Sequence, residues 1–136
     1  MSETTLNVDI ITPQGTFYAG EVYLTTMPGI DGEIGVMLGH APTVIGLSCG
    51  LITMYDNNMK ILKKIFIDIG FVQVNADKAT ILVQEAAYLE SYNLKDSMKR
   101  LEDLNIDLGF CKEEAQKSAV TKEIQMVESL IQILKR

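Results

Sequence analysis

The feature that most constrains the fold is an abrupt change of pattern near residue 90. Eight of the ten glycines fall between residues 15 and 50, all three prolines lie before residue 43, and after Gly70 only Gly109 remains. Apolar and polar residues alternate in short segments of the first part, whereas apolar residues recur every three or four positions in the last part. The sequence therefore predicts a β-rich domain over residues 1–88 and a helical domain over residues 89–136.

Period-two alternation defines the predicted strands of the first part. The residues predicted to share a face are Leu6, Val8 and Ile10 in TLNVDII, and Val22, Leu24 and Thr26 in GEVYLTTM. Two turn clusters, residues 56–58 and 75–78, each lie between apolar runs and predict β-hairpins. Many short strands without room for crossover helices favour a sandwich or barrel. The predicted fold class is α+β, with an N-terminal antiparallel β-sandwich followed by a C-terminal antiparallel two-helix hairpin.

Helical spacing begins at about Asn93. Asn93 is the predicted N-cap, Asp96 lies in the first turn near the positive helix end, and Gly109 is predicted to stop the first helix. The apolar positions predicted for this helix are Leu94, Met98, Leu101 and Leu104 or Leu108. A second helix follows to the C-terminus, so the two form an αα-hairpin.

The second helix carries apolar residues that step by four, three, four and three, a pattern that forms a seam with another helix. These residues are Val120, Ile124, Val127, Ile131 and Leu134. Ala115 and Ala119 are predicted to extend this stripe with small residues. The hairpin is too small to own a full core, so its stripes must be buried against each other, the sandwich or a partner. Because each buried Leu or Ile contributes only about 1.5–3 kcal/mol, the hairpin is a candidate for two alternative docked states.

Charge and composition exclude several functions. The net charge is −6, and residues 1–92 carry four lysines and no arginine against ten carboxylates. Nucleic-acid binding needs clustered lysine and arginine, so it is not expected. Cys49 and Cys111 belong to no metal-binding motif, and neither a metal nor another cofactor is expected. No apolar run approaches the ~18 residues of a membrane span, and no secretory signal is expected at the N-terminus.

The stretch PGIDGEIGVMLGHAP, residues 28–42, allows three hypotheses. A phosphate-binding loop is disfavoured, because no Gly-Lys-Ser/Thr follows and Asp31 and Glu33 would repel a phosphate. Acid–base chemistry by His40, oriented by Glu33 or Asp31, lacks a second histidine and a nucleophile motif. A rigid contact loop is favoured, since glycines permit unusual backbone angles and the bounding prolines restrict its ends.

Four motifs in this part of the chain carry a family resemblance. The segment from residue 11 to residue 52, followed by ATILVQEA at residues 79–86, resembles the epsilon subunit of rotary proton-translocating ATP synthases, called delta in mitochondria. The matching motifs are Thr12-Pro13 with Gly15, Gly20-Glu21-Val22, Gly32-Glu33-x-Gly35-Val36, and Gly39-His40-Ala41-Pro42. The resemblance implies a ten-stranded sandwich, a two-helix C-terminal domain and a non-catalytic place in the central rotor stalk, peripheral at the cytoplasmic face of the bacterial inner membrane.

The resemblance also implies partners for particular residues. The ring of c subunits would lie beside Asp31, Gly32 and Glu33, and the gamma subunit beside Gly39, His40, Ala41 and Pro42. The stripe of the second helix would contact the alpha and beta catalytic head when extended, and in many bacterial members the helical domain inhibits ATP hydrolysis. Members that bind ATP carry Ile or Leu, Asp, two residues and Arg-Ala in the first helix, whereas this chain has LKDSMKRL, so no nucleotide is expected there.

Two other functions stay open on the residues alone. The chain would suit a small non-catalytic adaptor module of another protein complex, because its sandwich and hairpin offer contact surfaces. It would also suit an acidic hydrolase that uses His40 and Glu33.

Overall fold

The computed structural model describes residues 5–135 and divides the chain into two compact units that separate between residues 89 and 90. In the first unit the described residues form a ten-stranded β-sandwich, and in the second they form two α-helices, which confirms the predicted fold class. The strands are β1 Leu6–Thr12, β2 Gly15–Val22, β3 Leu24–Gly29, β4 Gly32–Met37, β5 Thr43–Leu47, β6 Gly50–Tyr55, β7 Ile61–Ile67, β8 Gly70–Val74, β9 Lys78–Val83 and β10 Ala86–Tyr88.

The strands pair in the order β10-β7-β6-β3-β5-β8-β9-β1-β2, with β4 on the free side of β3. β3 joins the two halves of this path, because its first residues pair with β6 and its last residue pairs with β5. The pairs are antiparallel except one, since β1 and β9 run parallel. The long connection that a parallel pair needs is supplied by the seven intervening strands rather than by a crossover helix.

The core confirms one predicted face and corrects the other. Leu6, Val8 and Ile10 are fully buried, as their alternation predicts. The face predicted through Val22, Leu24 and Thr26 is wrong, because after the buried Val22 the inward positions are Thr25 and Met27. The chain bends at Tyr23, whose N–H donates to the carbonyl of Tyr55 at 2.9 Å. A shift of one residue moves every following side chain to the other face of a strand.

Both predicted hairpin turns are present. At the β6–β7 turn the carboxylate of Asp56 accepts the N–H groups of Asn58 and Lys60, each at 2.9 Å. At the β8–β9 turn Lys78 belongs to β9 rather than to the turn, and it pairs with Asn7 of β1.

The second unit contains α1 Leu94–Phe110 and α2 Glu114–Leu134, and a short 3₁₀ turn, Leu89–Ser91, spans the boundary between the two units. Asn93 is the N-cap as predicted, since its side chain accepts the N–H groups of Lys95 at 2.8 Å and Asp96 at 3.3 Å. Gly109 does not stop the helix. Its backbone is helical, and α1 continues to Phe110. The helix ends there because the backbone of Cys111 is extended. The left-handed conformation that makes glycine a helix stop is not used at this position.

Candidate functional site

The β3–β4 hairpin holds the segment predicted to face a ring of c subunits. The prediction that residues 28–42 form a continuous loop is wrong, because residues 32–37 pair along β3 as strand β4. The hairpin turns at Ile30 and Asp31. Gly32 adopts φ +129°, a conformation that other residues rarely take, and a β-carbon on Gly29 would lie 2.5 Å from the Gly32 carbonyl oxygen. Both glycines are thus required by the turn, which presents the exposed side chains of Asp31 and Glu33.

Ile30 is fastened at the tip of this turn although its side chain is 68% exposed. Its N–H donates to the carbonyl of Gly46 at 3.0 Å. A β-carbon on Gly46 would lie 2.5 Å from Ile30 Cδ1, so the absence of a side chain at Gly46 makes room for Ile30. A large apolar side chain is therefore held in one place while most of its surface faces water.

Two more exposed apolar side chains lie at this end of the sandwich. Ile69 is 56% exposed and Phe71 is 45% exposed, and both line with Ile30 an open groove of about 660 Å³. Its other lining residues are Ile11, Thr12, Pro13, Leu47, Ser48, Gly70, Leu82, Val83 and Gln84. Contiguous exposed apolar surface marks interaction sites in soluble proteins. The sequence did not predict this surface. The only signal for it in the sequence is that Ile30 and Ile69 each lie in a turn between two strands.

The Gly39–Pro42 segment lies at the other end of β4. Gly39 has φ +89° and donates its N–H to the carbonyl of Ala76 at 2.7 Å, while the His40 N–H donates to Met37 at 3.2 Å. His40 Nδ1 lies 2.8 Å from the carbonyl oxygen of Ala41. Because a carbonyl only accepts, Nδ1 carries the proton in this contact. The segment is thereby held in a fixed shape, with Ala41 and Pro42 exposed.

The two segments are separated by the length of β4. Residues 32–37 form a six-residue strand, which at about 3.3 Å per residue spans about 17 Å. Glu33 and His40 therefore lie at opposite ends of the strand and cannot form the pair that the hydrolase hypothesis required. Among residues 5–135 no cluster of three or more His, Cys, Asp or Glu side chains is placed to hold a metal ion.

The seam of the helical unit follows most of the predicted stripe. Ile124, Val127 and Ile131 are buried together with Leu104 of α1, and Val120 packs at their margin. Leu134, the last residue of the stripe, is half-buried at the end of α2. The predicted extension of the stripe through Ala115 and Ala119 is wrong, since both are exposed, and so is Met98, a predicted apolar position of α1. Leu130 is buried although it was not predicted. An ion pair between Arg100 and Glu123 links the two helices at their surface.

The described part of the chain contains no helix long and apolar enough to span a lipid bilayer.

Comparison with known proteins identifies the family. Residues 5–88 match the model of the beta-sandwich domain of the ATP synthase delta/epsilon chain. The chain is 30% identical to the ATP synthase epsilon chain of Rhodospirillum rubrum over 131 residues, covering 96% of each chain. It is 38% identical to the epsilon chain of Campylobacter jejuni over 84 residues, covering 62% of this chain and 64% of that one. The chain belongs to the ATP synthase delta/epsilon family.

The fold comparison agrees. A chain in the solved structure of the Euglena gracilis mitochondrial ATP synthase superposes with a TM-score of 0.81 at 23% identity. The superposition covers 96% of this chain and 82% of the Euglena chain, so the similarity of fold extends over strands and helices alike.

Proposed function

We propose that this chain is the epsilon subunit in the central stalk of a proton-translocating ATP synthase. In this role it is a non-catalytic rotor subunit, peripheral to the cytoplasmic face of a bacterial inner membrane, that couples rotation of the c ring to ATP synthesis on other chains. The observation that carries the proposal is the similarity to the R. rubrum epsilon chain over 96% of both chains, which spans the sandwich and the helices.

The geometry of β4 supports a two-ended coupling role. A subunit that transmits rotation needs two separate contact surfaces joined by a rigid element. The exposed turn with Asp31, Gly32 and Glu33 and the fixed segment with Gly39, His40, Ala41 and Pro42 lie at opposite ends of one paired strand. We assign the first to the c ring and the second to the gamma subunit.

The apolar groove adds binding area to the ring-facing end. Ile30, Ile69 and Phe71 form an exposed apolar surface beside the carboxylates of Asp31 and Glu33. An apolar centre with a polar margin is the usual anatomy of a protein interface. Apolar side chains supply most of the binding free energy in such a surface, and the acidic margin supplies orientation.

A paired substitution tests the ring-facing assignment. Ile30→Ser with Phe71→Ser should weaken assembly with the c ring in the reconstituted complex by about tenfold or more, because truncating an apolar anchor costs about 2 kcal/mol or more. The matched control is Met59→Ser with Ile61→Ser at the β6–β7 turn, where the exposed fractions are similar. Equal loss in both double variants, or no loss in either, would reject the assignment.

The gamma-facing assignment is tested with purified gamma subunit. His40→Ala should lower the affinity for gamma in titration calorimetry without lowering the thermal stability of the chain, since the side chain of His40 hydrogen-bonds to the carbonyl of its neighbour Ala41 and not to a distant strand in the described part of the chain. The control is Asn57→Ala in the exposed β6–β7 turn. An unchanged affinity of the His40 variant would remove this residue from the interface. Failure of the wild-type chain to bind gamma would favour an adaptor role in another complex.

Regulation by the helical unit is a further part of the proposal. The residues of α2 that form the stripe are Val120, Ile124, Val127, Ile131 and Leu134, and the first four pack against residues of α1. Contacts of the same kind with a partner would replace the contacts with α1 at a small difference in free energy. Deleting residues 93–136 should raise the ATPase activity of the assembled enzyme while assembly is preserved. Hydrolysis that stays unchanged after the deletion would count against an inhibitory role.

A further inference from the structure

Side chains of β10 and β2, the first and last strands in the strand order, contact each other. β2 and β10 lie at opposite ends of the strand order, and no backbone pairing joins them in the part of the chain that the structure describes. Phe17 of β2 and Tyr88 of β10 nevertheless stack with their ring centroids 4.9 Å apart and their planes at 40°. This distance and tilt lie within the favourable range for aromatic pairs. The aromatic contact therefore closes the sheet where the backbone leaves it open.

Tyr88 is also held from a second strand. The ammonium group of Lys63 in β7 lies 5.2 Å from the centroid of the Tyr88 ring, within the range of a cation–π interaction. Phe17 and Tyr88 both pack against the main apolar cluster of the sandwich. The Tyr88 ring is thus contacted by side chains of β2 and β7 and by the core.

Tyr18, the neighbour of Phe17 in β2, belongs to the same group. It packs against the core, and its pKa is raised by burial and, to a smaller extent, by Tyr88. A β-carbon on Gly20 would lie 2.8 Å from the Tyr18 hydroxyl, so glycine at this position leaves room for the phenol. β2 therefore packs two neighbouring aromatic side chains against the core, and one of them, Phe17, stacks on Tyr88.

The contact between Phe17 and Tyr88 lies where the sandwich ends along the chain. Tyr88 is the last residue of β10, a strand of only three residues, and the 3₁₀ turn Leu89–Ser91 follows at once. Three residues paired to one neighbour, β7, form a weak attachment on their own. Side-chain contacts must therefore hold the end of the sandwich in place.

We propose that Phe17, Tyr88 and Lys63 form an aromatic clasp that closes the sheet and fixes Tyr88 as the point where the sandwich ends. Beyond this point the backbone rearranges without opening β10, whereas loss of the clasp releases β10 and exposes the edge of β2. The clasp is a property of the chain alone, so it stands whether or not the helical unit regulates hydrolysis.

Limited proteolysis of the full-length chain with a glutamate-specific protease tests the clasp. Glu85 and Glu90 are both exposed and lie on either side of β10, and the Glu85 carbonyl accepts the N–H of Asp68 at 3.0 Å. In the wild-type chain the first cut should follow Glu90 rather than Glu85. Tyr88→Ala should raise the ratio of cleavage at Glu85 to cleavage at Glu90 by about tenfold, because it removes the ring from both contacts.

Matched variants separate the clasp from general destabilisation. Tyr88→Phe keeps the ring and should raise the cleavage ratio less than Tyr88→Ala does. Lys63→Met keeps the length of the side chain without its charge and should raise the ratio by about threefold. If Tyr88→Ala does not fold, Lys63→Met and Phe17→Leu carry the test, since neither changes a residue of β10.

Hydrogen exchange of the same variants tests closure of the sheet. In Tyr88→Ala or Phe17→Leu, amides of residues 16–20 should exchange faster together with those of residues 86–88, because the clasp joins both strands. Faster exchange confined to residues 86–88 would overturn the closing role. An unchanged Glu85 to Glu90 ratio in Tyr88→Ala and Lys63→Met would overturn the proposal as a whole.

Discussion

The carbonyl oxygen of Gly32 lies 2.5 Å from the place where a β-carbon on Gly29 would stand, so these two residues pass each other at the β3–β4 turn without room for a side chain. Gly29→Ala should therefore lower the free energy of unfolding by about 1–3 kcal/mol, the usual cost of forcing an added carbon into a packed site. Chemical denaturation would measure the change.

Gly35→Ala is the control for this prediction, because a β-carbon there would meet only Leu24 Cδ1 at 3.6 Å, an ordinary contact. It should be neutral, or it should stabilise the chain by about 0.4–1 kcal/mol through loss of unfolded-state entropy. Equal stability of the two variants would show that the β3–β4 turn accommodates a β-carbon at Gly29 despite the nearby Gly32 carbonyl.

Thr25 is fully buried in β3, and its hydroxyl has no hydrogen-bond partner among the described residues. Thr25→Val replaces the hydroxyl by a methyl group of similar shape. The unfolding free energy should rise by about 1 kcal/mol, because an unsatisfied buried hydroxyl carries a desolvation penalty. Thr26→Val, one position along the same strand and half-buried, should change stability less. A loss of stability in the Thr25 variant would contradict the prediction.

The raised pKa of Tyr18 predicts that the chain loses stability at alkaline pH. Its pKa is raised above the ordinary value of 10.0, chiefly because burial disfavours the phenolate and further because of Tyr88. As the pH rises above about 10, the unfolded chain loses this proton first, so stability that is fully present below pH 10 is lost as the pH approaches the folded-state pKa. Urea unfolding between pH 8 and 11 should show this fall in the wild-type chain.

Tyr18→Phe should show a shallower fall over the same range, because phenylalanine has no proton to lose. An identical slope in the Tyr18 variant would assign the alkaline loss to other groups.

Ile131 and Ile106 offer a matched pair in the helical unit. Ile131 is 5% exposed in the seam, whereas Ile106 is 53% exposed on α1. Ile131→Ala should destabilise the helices by about 2–5 kcal/mol, the usual cost of emptying a buried site. Ile106→Ala should change their stability by less than about 0.5 kcal/mol. Hydrogen exchange of residues 114–134 would separate the two outcomes, and similar exchange in both variants would mean that the seam does not hold the hairpin together.

Local features that depend on neighbours in sequence were predictable. Asn93 caps α1 as predicted, because an N-cap needs only the N–H groups two and three residues ahead. Ile124, Val127 and Ile131 are buried as predicted, since helical periodicity places them on one face whatever they pack against. Met98, predicted as an apolar position of α1, is exposed because the actual contact surface of that helix follows Leu101 and Leu104.

Features that depend on contacts between distant segments were not predictable in the same way. The face assigned to Leu24 and Thr26 was wrong because the bend at Tyr23 is held by a hydrogen bond from its own N–H to the carbonyl of Tyr55, 32 positions away. The parallel pairing of β1 with β9 joins strands from opposite ends of the first unit. No local pattern carries either contact.

The sequence alone determined the two-part architecture, the N-cap of α1 at Asn93, and the buried stripe through Ile124, Val127 and Ile131, because each depends on residues within a few positions of one another. Tertiary structure alone decided that Glu33 and His40 lie at opposite ends of β4, that Ile30 and Phe71 line one groove, and that Phe17 stacks on Tyr88. These pairs come together only when strands distant in sequence hydrogen-bond in one register, and the free energy that selects the register belongs to the whole core.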